Sequence, residues 1–403
     1  MENKLHKSYE LPKRLLCTIL VLIVFMIGRN IVVYGIDVSS LESQQENVQD
    51  ILISIISGDK QICSLFALGI SPYITSSLLI MVIMVFFPKD VKKRISKQKM
   101  DLVTNIFAVL LAIFYAFTRA LQLDYVKNDP YFNETGLHII AIVSFTIGAL
   151  IIIGLININK AHGIGQQMPI ILFNIIDGLY TTISGNYSDI NSNLFVICAA
   201  VVVIAIVMEN TEVQIPVQRV SIDNEYANKN YLAFKLNPIG VMPIMFSTSI
   251  FVFFKYILYF INKLVPNNES ITYIYDHMNM TESFGIWIYL AIILAFTILF
   301  SFLMLSPSDL ARNLQRGGDS IVDVYAGKPT LRYFRFILLL LSSSSGFVMA
   351  SCMCISLFMA LRTDMSQQLA MLPSSIMMLV SMFANLFSEI NGYRKFDSYK
   401  FFI

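Results

Sequence analysis

Charge is what this chain has little of. Only 14% of its 403 residues are Asp, Glu, Lys or Arg, 56% are hydrophobic, and the mean hydropathy is +0.66. Soluble globular chains carry about 25% charged residues. A soluble multidomain protein is therefore excluded, and a polytopic membrane protein is expected. Cysteine is also sparse. Cys17, Cys198, Cys352 and Cys354 lie in apolar runs, and Cys63 stands near an expected outer surface. They suggest no disulfide framework, and Cys352-x-Cys354 has no His or second Cys pair beside it, which points to packing rather than metal ligation. The histidines, His6, His138, His162 and His277, are scattered and form no metal spacing. No Gly-x-x-x-x-Gly-Lys-Ser or -Thr loop is present, so the chain is not expected to hydrolyse nucleotide. No Ser-His-Asp or paired-carboxylate arrangement stands out, and Gly163-Ile164-Gly165 is too short for a dinucleotide fingerprint. The expectation is a passive protein, not an enzyme, without cofactor, metal or nucleic-acid partner. A cleavable signal peptide is not expected either, because the first apolar run lacks a small-x-small cleavage site and reads as a retained span.

Apolar runs of roughly 17–25 residues are present at ten places: 15–34, 64–87, 102–121, 138–157, 167–183, 194–208, 239–261, 286–305, 334–360 and 370–388. With both termini placed in the cytoplasm, the cytoplasmic segments hold 22 Lys and Arg and the exterior segments four. That asymmetry predicts an N-in, C-in multi-pass membrane protein. Arg29, Arg119, Asp177 and Lys255 fall inside spans, toward the exterior third. Snorkelling to the outer interface and a hydrated outer vestibule both account for them. No carboxylate falls at the midplane, which weighs against a proton-coupled transporter.

The second span is unusual. Its first half, Phe66-Ala67-Leu68-Gly69-Ile70-Ser71-Pro72-Tyr73-Ile74-Thr75-Ser76, is rich in small and hydroxylated residues, and Pro72 invites a break or kink. Such residues belong where helices pack closely or border a polar cavity. Just before it, Asp50–Gly58 is apolar but too short to cross, and reads either as an interfacial helix or as a re-entrant, plugging element. The cytoplasmic connection 306–333 interleaves Arg312, Arg316, Lys328 and Arg332 with Asp309, Asp319 and Asp323. It is either solvated surface or a docking surface for a soluble partner. The Asn-x-Ser/Thr patterns at Asn133, Asn186, Asn268 and Asn279 are read as chance in Asn-rich loops.

Phe66-Ala-Leu-Gly-Ile-x-Pro-Tyr-Ile-x-x-Ser closely resembles the second span of SecY, the bacterial protein-conducting channel. Other segments agree in order. Gly28, Ile31, Gly35, Ile36 and Asp37 are similar to the end of its first span, with Val32 and Tyr34 where the family usually has prolines. Gly163-Ile164-Gly165 is similar to the entry to the fifth span. Asn237-x-x-Gly240-Val241-x-Pro243-x-x-Phe246 is similar to the seventh, and Asn313-Leu314-x-x-x-Gly318 with Gly327, Thr330 and Tyr333 to the loop after the eighth.

The resemblance implies an all-α polytopic membrane protein of ten transmembrane helices in two pseudo-symmetric five-helix halves, 1–183 and 184–403. It implies a lateral gate between the second and seventh spans at Ser71, Pro72, Thr75, Ser76, Pro243 and Phe246. It implies a plug at about 50–63 with Ile51, Leu52, Ile53, Ile55 and Ile56. It also implies an apolar pore ring of Ile74, Leu78, Leu172, Ile176, Met245 and Met378. An unbranched Met adapts to varied passing side chains, and a narrow apolar collar resists wetting.

The implied motor-docking surface, on loops 209–238 and 306–333, comprises Arg219, Arg312, Arg316, Tyr325, Lys328 and Arg332. Family members usually have Arg where gap-free matching puts Tyr325, and an Arg in the first span where this chain has Met26. Loop 209–238 holds only Arg219, Lys229 and Lys235, where housekeeping members are rich in cations. These departures resemble the accessory SecY branch of Gram-positive cocci. That branch implies an accessory SecA-type ATPase motor, small accessory Sec subunits or a SecE-like protein as partners, and export of a serine-rich glycosylated surface protein. A housekeeping SecY and a small-solute secondary transporter are the alternatives.

Overall fold

The computed structural model describes residues 10–36, 63–87, 95–121, 132–185, 192–219, 230–240, 242–264, 282–325, 327–362 and 372–399, with residues 123, 125, 273–275, 277, 278 and 369. Ten apolar helices match the ten expected spans one for one. In chain order they are α1 Glu10–Arg29, α2 Ser71–Phe86, α3 Lys97–Ala120, α4 Glu134–His162, α5 Met168–Gly185, α6 Ser192–Asn210, α7 Met242–Leu264 and α8 Ser283–Leu305; then, after a short α9 Pro307–Gly317, come α10 Lys328–Arg362 and α11 Leu372–Tyr399. Seven of them are long and apolar enough to cross a bilayer, and α2, α5 and α6 are shorter apolar helices. The fold is an all-α polytopic membrane architecture. Its outer faces carry exposed Leu, Ile and Phe, such as Leu16, Ile19, Leu20 and Ile23 on α1, as expected of surface turned to lipid.

The second span departs from expectation at its start. Residues 63–70 run as turns, and the helix begins only at Ser71. Val33 N–H donates to Cys63 O at 2.8 Å and Leu65 N–H to Ile31 O at 2.7 Å, so this stretch bonds to the chain that follows α1. A Cβ on Gly148 of α4 would land on the Leu65 carbonyl oxygen, so only a glycine lets the turn lie that close. Pro72 therefore neither breaks nor kinks a helix. It occupies the first turn of α2, where a missing N–H costs nothing.

Two polar junctions hold the helix ends near the start of α1. Asn159 at the end of α4 donates to Ile164 O at 3.0 Å, and Ile164 N–H donates to Thr18 Oγ1 at 2.9 Å, which shapes the Gly163-Ile164-Gly165 turn into α5. The tail of α11 then fastens this turn and α1. Gly165 N–H donates to Glu389 at 3.1 Å. The Asp397 carboxylate accepts from Glu10 N at 3.2 Å and Leu11 N at 3.0 Å, and the Arg14 guanidinium lies 4.7 Å above the Tyr393 ring. A carboxylate on the orphan amides at a helix start also complements the helix dipole.

A small sheet was not legible in the sequence. β1 Glu212–Arg219 and β2 Tyr231–Lys235 form an antiparallel hairpin between α6 and α7, and β3 Asp319–Ile321 adds to the other edge of β1. The register places Glu212 opposite Lys235 and Arg219 opposite Asp319, cross-strand pairs of opposite charge. Loops 209–238 and 306–333 are thus one module with its own core, in which Ile215, Phe234, Ala311, Ile321, Phe334 and Leu338 are buried together. Helix α9 supplies Ala311, Leu310 and Leu314 to that core and leaves Arg312 and Arg316 outside.

Candidate functional site

Helices α2 and α7 meet in the middle of the bundle, and each begins in the same way. Gly69-Ile70-Ser71-Pro72 opens α2 and Gly240-Val241-Met242-Pro243 opens α7, with φ of +53° at Gly69 and +69° at Gly240. A left-handed glycine turns the chain, and a proline two residues after the following β-branched residue starts the helix. Each helix then presents a threonine to a tyrosine on the next helix. Tyr115 of α3 donates to Thr75 Oγ1 at 3.2 Å. Thr248 gives its own proton to Ile244 O, so the Tyr289 hydroxyl of α8 donates to Thr248 across 2.9 Å. Both tyrosines are fully buried. These twin bonds tie α2 to α3 and α7 to α8, and repeat one arrangement in the two parts of the chain.

Of the expected gate residues, Pro72, Thr75, Ser76, Pro243 and Phe246 are buried, and Ser71 is half-buried. Their hydroxyls are satisfied locally: Ser76 donates to Thr104 O at 2.7 Å and Thr75 to Ser71 O at 2.9 Å. The α2–α7 contact therefore carries few polar groups in need of partners across it. Nearby, α3 and α7 meet through aromatic rings that the sequence reading passed over. The Tyr115 ring lies 5.0 Å from that of Tyr256 and 6.5 Å from Phe253, and Phe114 lies 6.3 Å from Phe260. The signal was present, as aromatics at 253, 256 and 260 share one helical face.

The expected ring residues come together for the most part. Ile74, Leu78, Met245 and Met378 are buried in one apolar cluster, and Leu172 packs against it. Thus α2, α5, α7 and α11 each give side chains to that cluster. Ile176 is not brought in: it is 43% exposed and lies on the α5 face that continues to exposed Tyr180. Ile51, Leu52, Ile53, Ile55 and Ile56 lie outside the described residues. Cys63, which ends the segment assigned to the plug, is buried, and burial pushes its thiol up despite the nearby Arg119 charge. Burial likewise pushes Tyr125, between α3 and α4, up to about 12. The cluster also absorbs Cys352, and Cys354 packs against it. No group of His, Cys, Asp and Glu suited to a metal is found among the described residues.

The residues expected to dock a motor gather on the module of α9 and the small sheet and at the start of α10. Arg312, Arg316, Lys328 and Arg332 are exposed, and Tyr325 is 87% exposed at the turn after β3. Arg219 ends β1, opposite Asp319 of β3.

Comparison with known proteins places this architecture. A family model described as SecY matches residues 64–387. The accessory Sec system protein translocase subunit SecY2 of Leuconostoc gelidum subsp. gasicomitatum is 28% identical over 400 residues, covering 94% of each chain. The protein translocase subunit SecY of Lactococcus lactis subsp. cremoris is 27% identical, covering 84% of this chain and 82% of its own. A solved structure titled as that of a protein conducting channel superposes with a TM-score of 0.68 at 14% identity, covering 97% of this chain and 94% of that one.

Proposed function

The chain belongs to the SecY family, and from that premise we propose that it is the channel subunit of an accessory Sec translocase of the plasma membrane, with both termini cytoplasmic. The observation that carries the accessory reading is Tyr325. The most exposed large hydrophobic among the described residues is a neutral aromatic where the resemblance expects the motor-engaging Arg. The near full-length likeness to an accessory-system relative supports the same reading.

The mechanism follows from the parts. Halves 1–183 and 184–403 move apart along α2 and α7. Each half keeps its own Tyr–Thr bond, so α2 moves with α3 and α7 with α8, and the aromatic contacts of α3 with α7 are what must part. The plug, about 50–63, moves outward. The unfolded cargo passes the collar of Ile74, Leu78, Leu172, Met245 and Met378, with Ile176 above it toward the outer funnel. Burying apolar area at about 25 cal/mol per Å2 favours the closed collar, and a passing chain replaces that contact with its own.

An accessory SecA-type ATPase supplies the energy and docks on the module through Arg219, Arg312, Arg316 and Tyr325, with Lys328 and Arg332 at the margin. Small accessory Sec subunits or a SecE-like protein cover part of the exposed apolar faces. The cargo is a serine-rich, glycosylated surface protein, for which two unbranched methionines offer an adaptable collar.

The test is deletion of the gene with quantitative proteomics of secreted and wall-attached proteins. Viable cells that lose one or a few large surface glycoproteins support the accessory channel. Lethality or a broad loss of secreted proteins makes this the general channel. An unchanged secretome removes both.

A further inference from the structure

Helix α10 is too long for its membrane task. Its 35 residues extend about 52 Å at 1.5 Å per residue, whereas a bilayer core needs about 30 Å. The surplus lies at its start, where one face carries Lys328, Arg332 and Phe336 at successive i, i+4 positions. That face continues as exposed Leu339, Leu340 and Phe347. The opposite face, through Thr330, Phe334 and Leu338, is buried against the cytoplasmic module.

A hollow of about 470 Å3 lies at this junction, lined by Val324, Lys328, Pro329, Arg332, Tyr333 and Phe336. Among the described residues no carboxylate forms an ion pair with Lys328 or Arg332, and Arg335 stands exposed one turn on. Lys328 and Arg332, with no ion-pair partner among the described residues, therefore stand over a mostly apolar hollow, and exposed Phe336, Leu339 and Leu340 run on from it, followed beyond the Ser342–Ser345 run by Phe347. An anion with an apolar tail fits that order of charge and grease, whereas a soluble protein surface would leave those apolar side chains unused.

We propose that this hollow binds the headgroup of one anionic phospholipid, whose acyl chain lies along Phe336, Leu340 and Phe347. Lys328 and Arg332 hold the phosphate, and Tyr333 and Pro329 wall the glycerol region. This takes both cations out of the margin of the motor-docking surface and leaves that role to Arg219, Arg312, Arg316 and Tyr325. The inference rests on the membrane reading of α10 and on no cargo, so its test is independent of export.

The test is native mass spectrometry of the full-length, delipidated chain in detergent, titrated with dioleoyl phosphatidylglycerol or dioleoyl phosphatidylcholine. One phosphatidylglycerol should be retained in preference to phosphatidylcholine, and excess glycerol phosphate should not displace it. K328Q/R332Q should weaken retention about thirtyfold, from the contribution of each basic side chain near an anionic surface. R312Q/R316Q should leave it unchanged. F336S should weaken retention without altering charge, and K328R/R332K should preserve it. These two variants carry the test if K328Q/R332Q fails to fold. Equal retention of both lipids, or equal loss in the two charge-removing double variants, would overturn the proposal. So would a K328Q/R332Q protein that keeps its lipid but no longer binds the purified motor.

Discussion

The Arg29 guanidinium stands 2.9 Å from the Asp177 carboxylate, joining the end of α1 to the outer part of α5. One turn inward on the same two faces, Phe25 meets Phe173 edge to face at 6.1 Å. The pair is unequal, with the Arg29 side chain 9% exposed and that of Asp177 35%. Losing the carboxylate removes the partner of a buried cation, which costs more than losing the pair. Asp177→Ala is expected to destabilise the protein by about 2 kcal/mol, and Arg29→Met with Asp177→Leu to recover most of it. Thermal unfolding in detergent checks this. A double variant as unstable as the single one would mean that the pair is not the source.

The rings between α3 and α7 predict a gating phenotype. Aromatic pairs contribute about 0.5–1.5 kcal/mol each beyond burial. Phe253→Ala with Tyr256→Ala should therefore ease opening and raise export of a cargo whose signal segment has been shortened. Tyr115→Phe keeps the ring contacts and loses only the bond to Thr75, and should leave that export near wild type. Quantitative blotting of secreted cargo separates them, and a rise with Tyr115→Phe alone would shift the barrier to the hydrogen bond.

Met245 is buried in the apolar cluster with Ile74, Leu78 and Met378. Met245→Trp should narrow the passage and reduce export several-fold while membrane insertion is unaltered. Pulse-chase export with a membrane-fraction control measures both. Unchanged export would remove Met245 from the ring.

Phe334 is the one fully buried phenylalanine of the cytoplasmic core, 6.0 Å from Phe234 of β2. Phe334→Ala should cost about 3–5 kcal/mol, and chiefly within the module. Limited proteolysis should then find new cleavage within both 209–238 and 306–333 while the ten membrane helices stay protected. Cleavage in one loop alone would deny that they share a core.

Cys63 predicts a conformational signal. Its burial raises the thiol pKa, so thiolate is scarce at neutral pH and maleimide labelling in the closed channel should be slow, rising as pH passes 9. Engagement of a signal-bearing cargo frees the turn and should speed labelling at constant pH. An unchanged rate would mean that residues 63–70 stay in place during transport.

The spans were legible because lipid demands a long apolar run whatever the fold. The burial of the expected ring was legible in part. Ile74, Leu78, Met245 and Met378 share one buried apolar cluster, whereas Ile176, one helical turn from Leu172, is exposed on α5. The start of the second span misled because composition does not distinguish a buried turn from a buried helix. The turn is imposed by Gly148 and by backbone bonds to residues after α1, both distant in sequence. The sheet was hidden for the same reason: β3 is only three residues long and exists by pairing with a strand about a hundred residues earlier. Tyr115, Tyr289 and the ring seam were passed over because an aromatic in an apolar run reads as ordinary filling until its partner helix is known.

The hairpin between α6 and α7 and the segment between α8 and α10 are stitched by one strand, β1. Every membrane helix rooted in that sheet lies in the carboxyl-terminal part of the chain. A push delivered at any point of the module is thus shared among α6, α7, α8 and α10 together, and α7 passes it to α2 by direct contact. On the proposed gating, the module is a crank handle bolted to one leaf of a door, and torque on it would swing that leaf against its frame.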